Sequence, residues 1–94
     1  AEFDDPAVMG EWIDWLRDGH LAEVIAGGAL DAEVVQFDGP AHRCAVRYHF
    51  RDRAAFERYE REFAPRLRQD GLERFPPERG VRYQRNTGVV RARK

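Results

Sequence analysis

ALDAEVVQFDGPAHRCAVRYHF, residues 29–50, is the stretch that decides the fold. Asp38-Gly39-Pro40 is turn material between two alternating runs, which is the pattern of a β-hairpin. In the second run Cys44, Val46, Tyr48 and Phe50 point one way, and Arg43, Ala45, Arg47 and His49 the other, because successive strand side chains alternate. In the first run Leu30, Ala32 and Val34 share a face opposite to Asp31 and Glu33. A register pairing Leu30 with Tyr48 matches apolar to apolar and sets Asp31 against Arg47. One face of the hairpin is then core, and the other is polar but charge-matched.

A helix is expected on each side of this hairpin. Upstream, Asp5 can cap free N–H groups and Pro6 is preorganised for a first helical turn. From there Val8, Met9, Trp12, Ile13, Trp15 and Leu16 fall on one face at helical spacing. Gly19 interrupts, and Leu21, Val24 and Ile25 continue on a rotated stripe, so a kink or break is expected near Gly19 and an end at Gly27-Gly28. Downstream, Asp52 can cap a helix whose buried stripe is Ala55, Phe56, Tyr59 and Phe63. Its outer face offers Arg53/Glu57, Glu57/Arg61 and Arg58/Glu62 as i,i+4 pairs. Pro65 then ends this helix or opens a short one, APRLRQDG, closed by Gly71. After the loop FPPERG, VRYQRNTGVV reads as a last strand, and AEFDDP at the start reads as the end of a first one.

The order strand stub–helix–strand–strand–helix–strand is the split βαβ, ferredoxin-like (βαββαβ) arrangement. It implies an α+β domain over residues 1–94, with a four-stranded antiparallel sheet and helices on one face. Because large aliphatic residues are few and aromatics reach 12%, the core is expected to rest on Trp, Tyr and Phe. A chain of 94 residues is near the lower limit for a self-sufficient core, so a homodimer through the open sheet face is the expected assembly.

Charged residues make up 35% of the chain yet cancel to a net charge of −1. That balance speaks against a dedicated nucleic-acid binder, which carries a basic excess. Cys44 is the single cysteine, so neither a disulfide framework nor a thiolate metal site is expected, and a reducing cytoplasm fits. No apolar run approaches a membrane span.

WIDWLRDGHLAEVIAGG, FAPRLRQDGLERF and YQRNTG resemble the signature blocks of an uncharacterised family of small bacterial proteins. That family reads W-x-x-W-M-x-x-x-H-I-P-E-V-M-x-T-G near the start and continues with an A-P-x-L-R block. Its blocks match Trp12, Trp15, Leu16, His20, Glu23 and Gly27 or Gly28, then Ala64, Pro65, Leu67 and Arg68. Ala22 replaces a frequent Pro, Leu16 a Met, and Asn86 a Thr. The resemblance implies a ferredoxin-like subunit paired as a dimeric α+β barrel, and carries no activity.

His20 is the first candidate for chemistry. At the edge of an apolar face beside a helix break it needs a polar partner, and it could act as general base or hold a ligand carbonyl. The plain alternative is a histidine bonded to a carbonyl freed by the break. Trp12 and Trp15 could flank a flat ligand, Tyr48 and Tyr59 could orient one, and Arg66, with Arg68, could bind an anion. Core packing and solvated surface are the structural alternatives for these six. His20, His42 and His49 lack metal-ligand spacing, so no metal is expected, nor any cofactor. The expected function is binding of a small organic ligand in an aromatic pocket between helices and sheet. One alternative is a cofactor-free oxygenase or isomerase using His20 as base. A further one is an RNA-recognition-like module, since RCAVRYHF loosely echoes the central strand of such domains.

Overall fold

The computed structural model describes all residues 1–94. The chain forms β1 (Glu2–Phe3), α1 (Pro6–Trp15), a π-helical turn (Leu16–His20), α2 (Leu21–Ala26), β2 (Asp31–Gln36), β3 (His42–His49), α3 (Arg53–Glu62), α4 (Ala64–Arg74), a 3-10 turn (Pro77–Arg79) and β4 (Val81–Arg82). The strands make one antiparallel sheet in the order β2-β3-β1-β4. Because α1, the π turn and α2 run on without a break, the fold has three helices, which pack on one face of the sheet.

Both helix starts behave as their residues dictate. Asp5 accepts a hydrogen bond from the Ala7 amide and Asp52 one from the Ala55 amide, each at 2.8 Å. The break expected at Gly19 is instead a π turn, in which the Leu21 amide bonds the Leu16 carbonyl. One extra residue in that turn rotates the apolar stripe while the helix stays continuous. Gly28, at φ 124, then turns the chain toward β2, a conformation that suits glycine.

The core is in two parts. Phe3, Met9, Trp12, Leu16, Cys44, Phe75 and Val81 form one cluster, and Val24, Ala29, Tyr59, Ala64 and Leu67 the other. Tyr48, Phe50 and Phe63 pack against the second. The core face of β3 is therefore the predicted one, and its aromatics lie under the helices, away from the open face an RNA-recognition domain would use.

Several expectations are corrected in detail. The hairpin pairs Asp31 with His49, Ala32 with Tyr48 and Glu33 with Arg47, two residues from the predicted register. The connection runs from Phe37 to Ala41 and closes with the Phe37 amide on the Arg43 carbonyl, so it is wider than a turn at residues 38–40. A shift by two keeps every side chain on its face. It leaves Leu30 beyond the end of β2, 60% exposed and outside the core, and Ile25 is likewise 43% exposed. Of the three i,i+4 pairs proposed for α3, Arg58–Glu62 forms, at 2.9 Å.

Gly71 does not close α4, which continues to Arg74. The last strand is two residues long, with Val81 and Arg82 paired to Phe3 and Glu2. The N-terminal face of the domain is held by Arg82, which reaches Asp4 at 2.8 Å and Glu2 at 3.4 Å.

Candidate functional site

Trp15, the last residue of α1, wedges against α4. Its Cη2 would lie 3.3 Å from a Cβ at residue 71, so glycine there lets the indole reach the helix. The indole tilts against buried Phe75, with ring centroids 5.6 Å apart. The His20 imidazole stacks on it at 4.3 Å and 23°. The π turn makes this stack possible: it places His20 five residues after Trp15 and on the same side of the helix.

Two surface grooves meet at Trp15. One, of about 440 Å³, is lined by Glu11, Asp14, Trp15, Asp18, Gly19 and Arg74. The other, of about 360 Å³, is lined by Trp15, His20, Glu23, Asp70, Glu73 and Arg74. In the first groove the acids are engaged: Asp14 and Asp18 pair with Arg17, and Glu11 with Arg79. In the second, Glu23 and Asp70 belong to no ion pair.

His20 has an unusual polar environment. Its Nδ1 is buried with no hydrogen-bond partner, and it is the one buried side-chain polar atom in that condition. Nε2 has no protein partner either, so it meets solvent at the groove. Burial pushes the imidazole pKa down, against the opposing pull of Glu23 and Asp70. Burial therefore favours the neutral form of the ring. A buried N–H without an acceptor costs more than a buried lone pair, so the proton belongs on Nε2. His20 thus offers the groove an N–H donor. Arg74 adds further donors, and Glu23, Asp70 and Glu73 supply acceptors.

The other residues expected at a site are distributed elsewhere. Trp12 is 6% exposed and packs on Phe3 with centroids 5.3 Å apart, as core. Tyr59 is buried in the second cluster, where Tyr48 also packs, and no hydrogen bond joins either to His20. Burial raises the pKa of both phenols; each phenol's own neighbours, Tyr59 for Tyr48 and Arg68 for Tyr59, matter less. Arg66 is exposed on α4 without an ion pair, whereas Arg68 is held by Glu60 at 2.5 Å. The fold thus brings Trp15 and His20 together at the groove, and Tyr48 and Tyr59 together in the second cluster away from it. Asp70, Glu73 and Arg74 escaped the sequence reading because Gly71 was taken as a helix end. The i,i+3 and i,i+4 spacing of 70, 73 and 74 was the signal available.

On the open sheet face Asp31 bonds His49 at 2.5 Å and Glu33 meets Arg47 at 3.6 Å, so this face is charge-matched as its sequence predicts. No helix is long and apolar enough to cross a membrane.

A family model described as a domain of unknown function (DUF4286) matches residues 5–81. No curated protein and no solved structure matches the chain.

Proposed function

The chain belongs to the DUF4286 family, a family defined without an activity, and from the geometry of the Trp15–His20 groove we propose that it binds a small, flat organic ligand there. The observation that carries this reading is His20 itself: a stacked, neutral imidazole with a sealed and unpartnered Nδ1 beside an open groove. Leaving a polar atom unsatisfied costs stability, and such a cost is more common where a side chain serves a ligand. The stack offers a flat surface, Nε2–H and Arg74 bind a carbonyl oxygen, and the carboxylates accept from an amino group. A neutral primary amide on an aromatic ring has both functions. The binding reading also sits better with the tautomer than base catalysis does, since a base at Nε2 would put the proton on Nδ1, where nothing accepts it.

The strand order β2-β3-β1-β4 with helices on one face supports the ferredoxin-like reading of the fold. On that reading two copies pair through the open, charge-matched sheet face as a dimeric α+β barrel in the cytoplasm.

Benzamide tests the site by nuclear magnetic resonance. The Trp15 indole and His20 ring signals move in a saturable way on titration with benzamide, and move far less with benzoate, which the carboxylates repel. Equal response of Trp12 and Trp15, or none at either, would contradict the proposal.

A further inference from the structure

The His20 ring has neighbours of two kinds. Its stacking partner is apolar and fixed: the Trp15 rim would stand 3.3 Å from a Cβ at residue 71, and the indole tilts against buried Phe75. On the groove side its neighbours are charged. Glu23, three residues further along the same helix, and Asp70, Glu73 and Arg74 of α4 line an opening of about 360 Å³ beside the ring. Glu73 accepts a hydrogen bond from Gln69, while Glu23, Asp70 and Arg74 belong to no ion pair. Asp18, two residues before the ring, is taken by Arg17. Neither the sheet nor α3 contributes a charged group to this groove. Three carboxylates therefore face one guanidinium around the ring.

The two protonation states of His20 suit different sides. A neutral imidazole carries one N–H and one bare nitrogen, and in the stack the bare one is Nδ1, sealed without a partner. Protonation puts a hydrogen on both nitrogens. A stacked imidazolium would then hold a charged N–H in a sealed position with no acceptor. An indole face attracts a cation, but that gain is smaller than the penalty of a buried charged donor left unpaired. In the groove the same ring meets carboxylates and water. Side chains three residues apart on a helix are neighbours, so Glu23 comes within reach once the ring turns outward. Asp70 meets it there from α4. Trp15 is pinned at Gly71 and Phe75, so the histidine is the part that moves.

We propose that His20 is a proton-operated lid on Trp15. Neutral, it covers the indole and presents Nε2–H to the groove. Protonated, it swings off the indole to lie between Glu23 and Asp70, and the indole is bared. The lid is closed in full above the ordinary histidine value of 6.5 and opens as pH falls through the value lowered by burial. One consequence rests on the binding reading above: opening withdraws the Nε2–H donor, so a neutral aromatic amide is released as the lid opens.

Nuclear magnetic resonance of the full chain between pH 8 and about 4 tests the lid without any ligand. Cross-relaxation between the His20 and Trp15 ring protons is lost as both ring nitrogens become protonated. Cross-relaxation between Phe3 and Trp12, whose centroids lie 5.3 Å apart in the core, persists. Glu23→Gln combined with Asp70→Asn lowers the midpoint of opening by about one pH unit, because the open ring loses its acceptors. An imidazolium still stacked on the indole would overturn the proposal. So would a stack lost only together with the Phe3–Trp12 contact, which is unfolding, or a midpoint that the double substitution leaves in place. Benzamide separates the lid from the ligand site. A stack that opens in a chain that never responds to benzamide supports the lid and contradicts the binding reading. A benzamide response at pH 8 with the imidazolium held on the indole at low pH does the reverse.

Discussion

The His20 ring lies on the Trp15 indole, with centroids 4.3 Å apart and planes inclined by 23°, and its inner nitrogen is bonded to nothing. The stack gives a favourable contact of about 1 kcal/mol, while the sealed nitrogen costs a comparable amount. A phenyl ring would keep the first and remove the second. His20→Phe is therefore expected to raise stability by about 1 kcal/mol in urea unfolding while abolishing the response to benzamide. A loss of stability above about 1 kcal/mol would show that Nδ1 has a partner after all.

The same ring sets a pH dependence. Its folded pKa lies below its ordinary value of 6.5, so between the two the unfolded chain binds more protons than the folded one. Stability contributed by neutral His20 is present in full above pH 6.5 and is lost as pH falls through the lowered folded pKa. Urea midpoints measured from pH 8 to 5 should decline in the native chain and decline less in His20→Phe. Asp52 works in the same direction in a more acid window, because the Ala55 amide holds its carboxyl below the usual carboxylate value of 3.8.

Two glycines face aromatic rings at different clearances. A Cβ at Gly27 would meet the Tyr59 and Phe63 rings at 3.0 Å, inside a packed cluster, so Gly27→Ala is expected to cost about 1–3 kcal/mol. At Gly71 the Cβ would stand 3.3 Å from the rim of Trp15. Gly71→Ala gains about 1 kcal/mol of helix propensity, which offsets the displacement of the indole. Its signature is a change in the Trp15 and His20 ring shifts with little change in unfolding midpoint.

The assembly has its own measurement. Light scattering at tens of micromolar should return twice the 10.9 kDa of one chain. A value for a single chain would remove the barrel and leave the charge-matched face of Asp31, Glu33, Arg47 and His49 as an ordinary solvated surface.

Local chemistry made much of this fold legible. Asp5-Pro6 and Asp52 start helices because a carboxylate beside free N–H groups acts within one turn, and the alternation of residues 43–50 assigns faces regardless of register. What the sequence did not show depends on distant parts. The hairpin slipped by two because both registers bury the same face and oppose acids to bases, and only the width of the loop tells them apart. Gly71 looks like a helix terminator until Trp15, 56 residues earlier in the chain, is seen to need the space. The strand at Val81 depends on its pairing with Glu2 and Phe3, at the opposite end of the chain. For the site, the histidine at the helix irregularity was visible, but its stacking on Trp15 required the π turn. The tyrosines grouped with it by periodicity belong to a separate cluster.

The most direct test of the central claim is the tautomer of His20, read from ring nitrogen shifts and long-range proton–nitrogen couplings at pH 7. The proposed site predicts a neutral imidazole with its proton on Nε2 and a bare Nδ1, and a shift of the Nε2 signal when benzamide is added. A proton on Nδ1, or a doubly protonated ring at that pH, would contradict it.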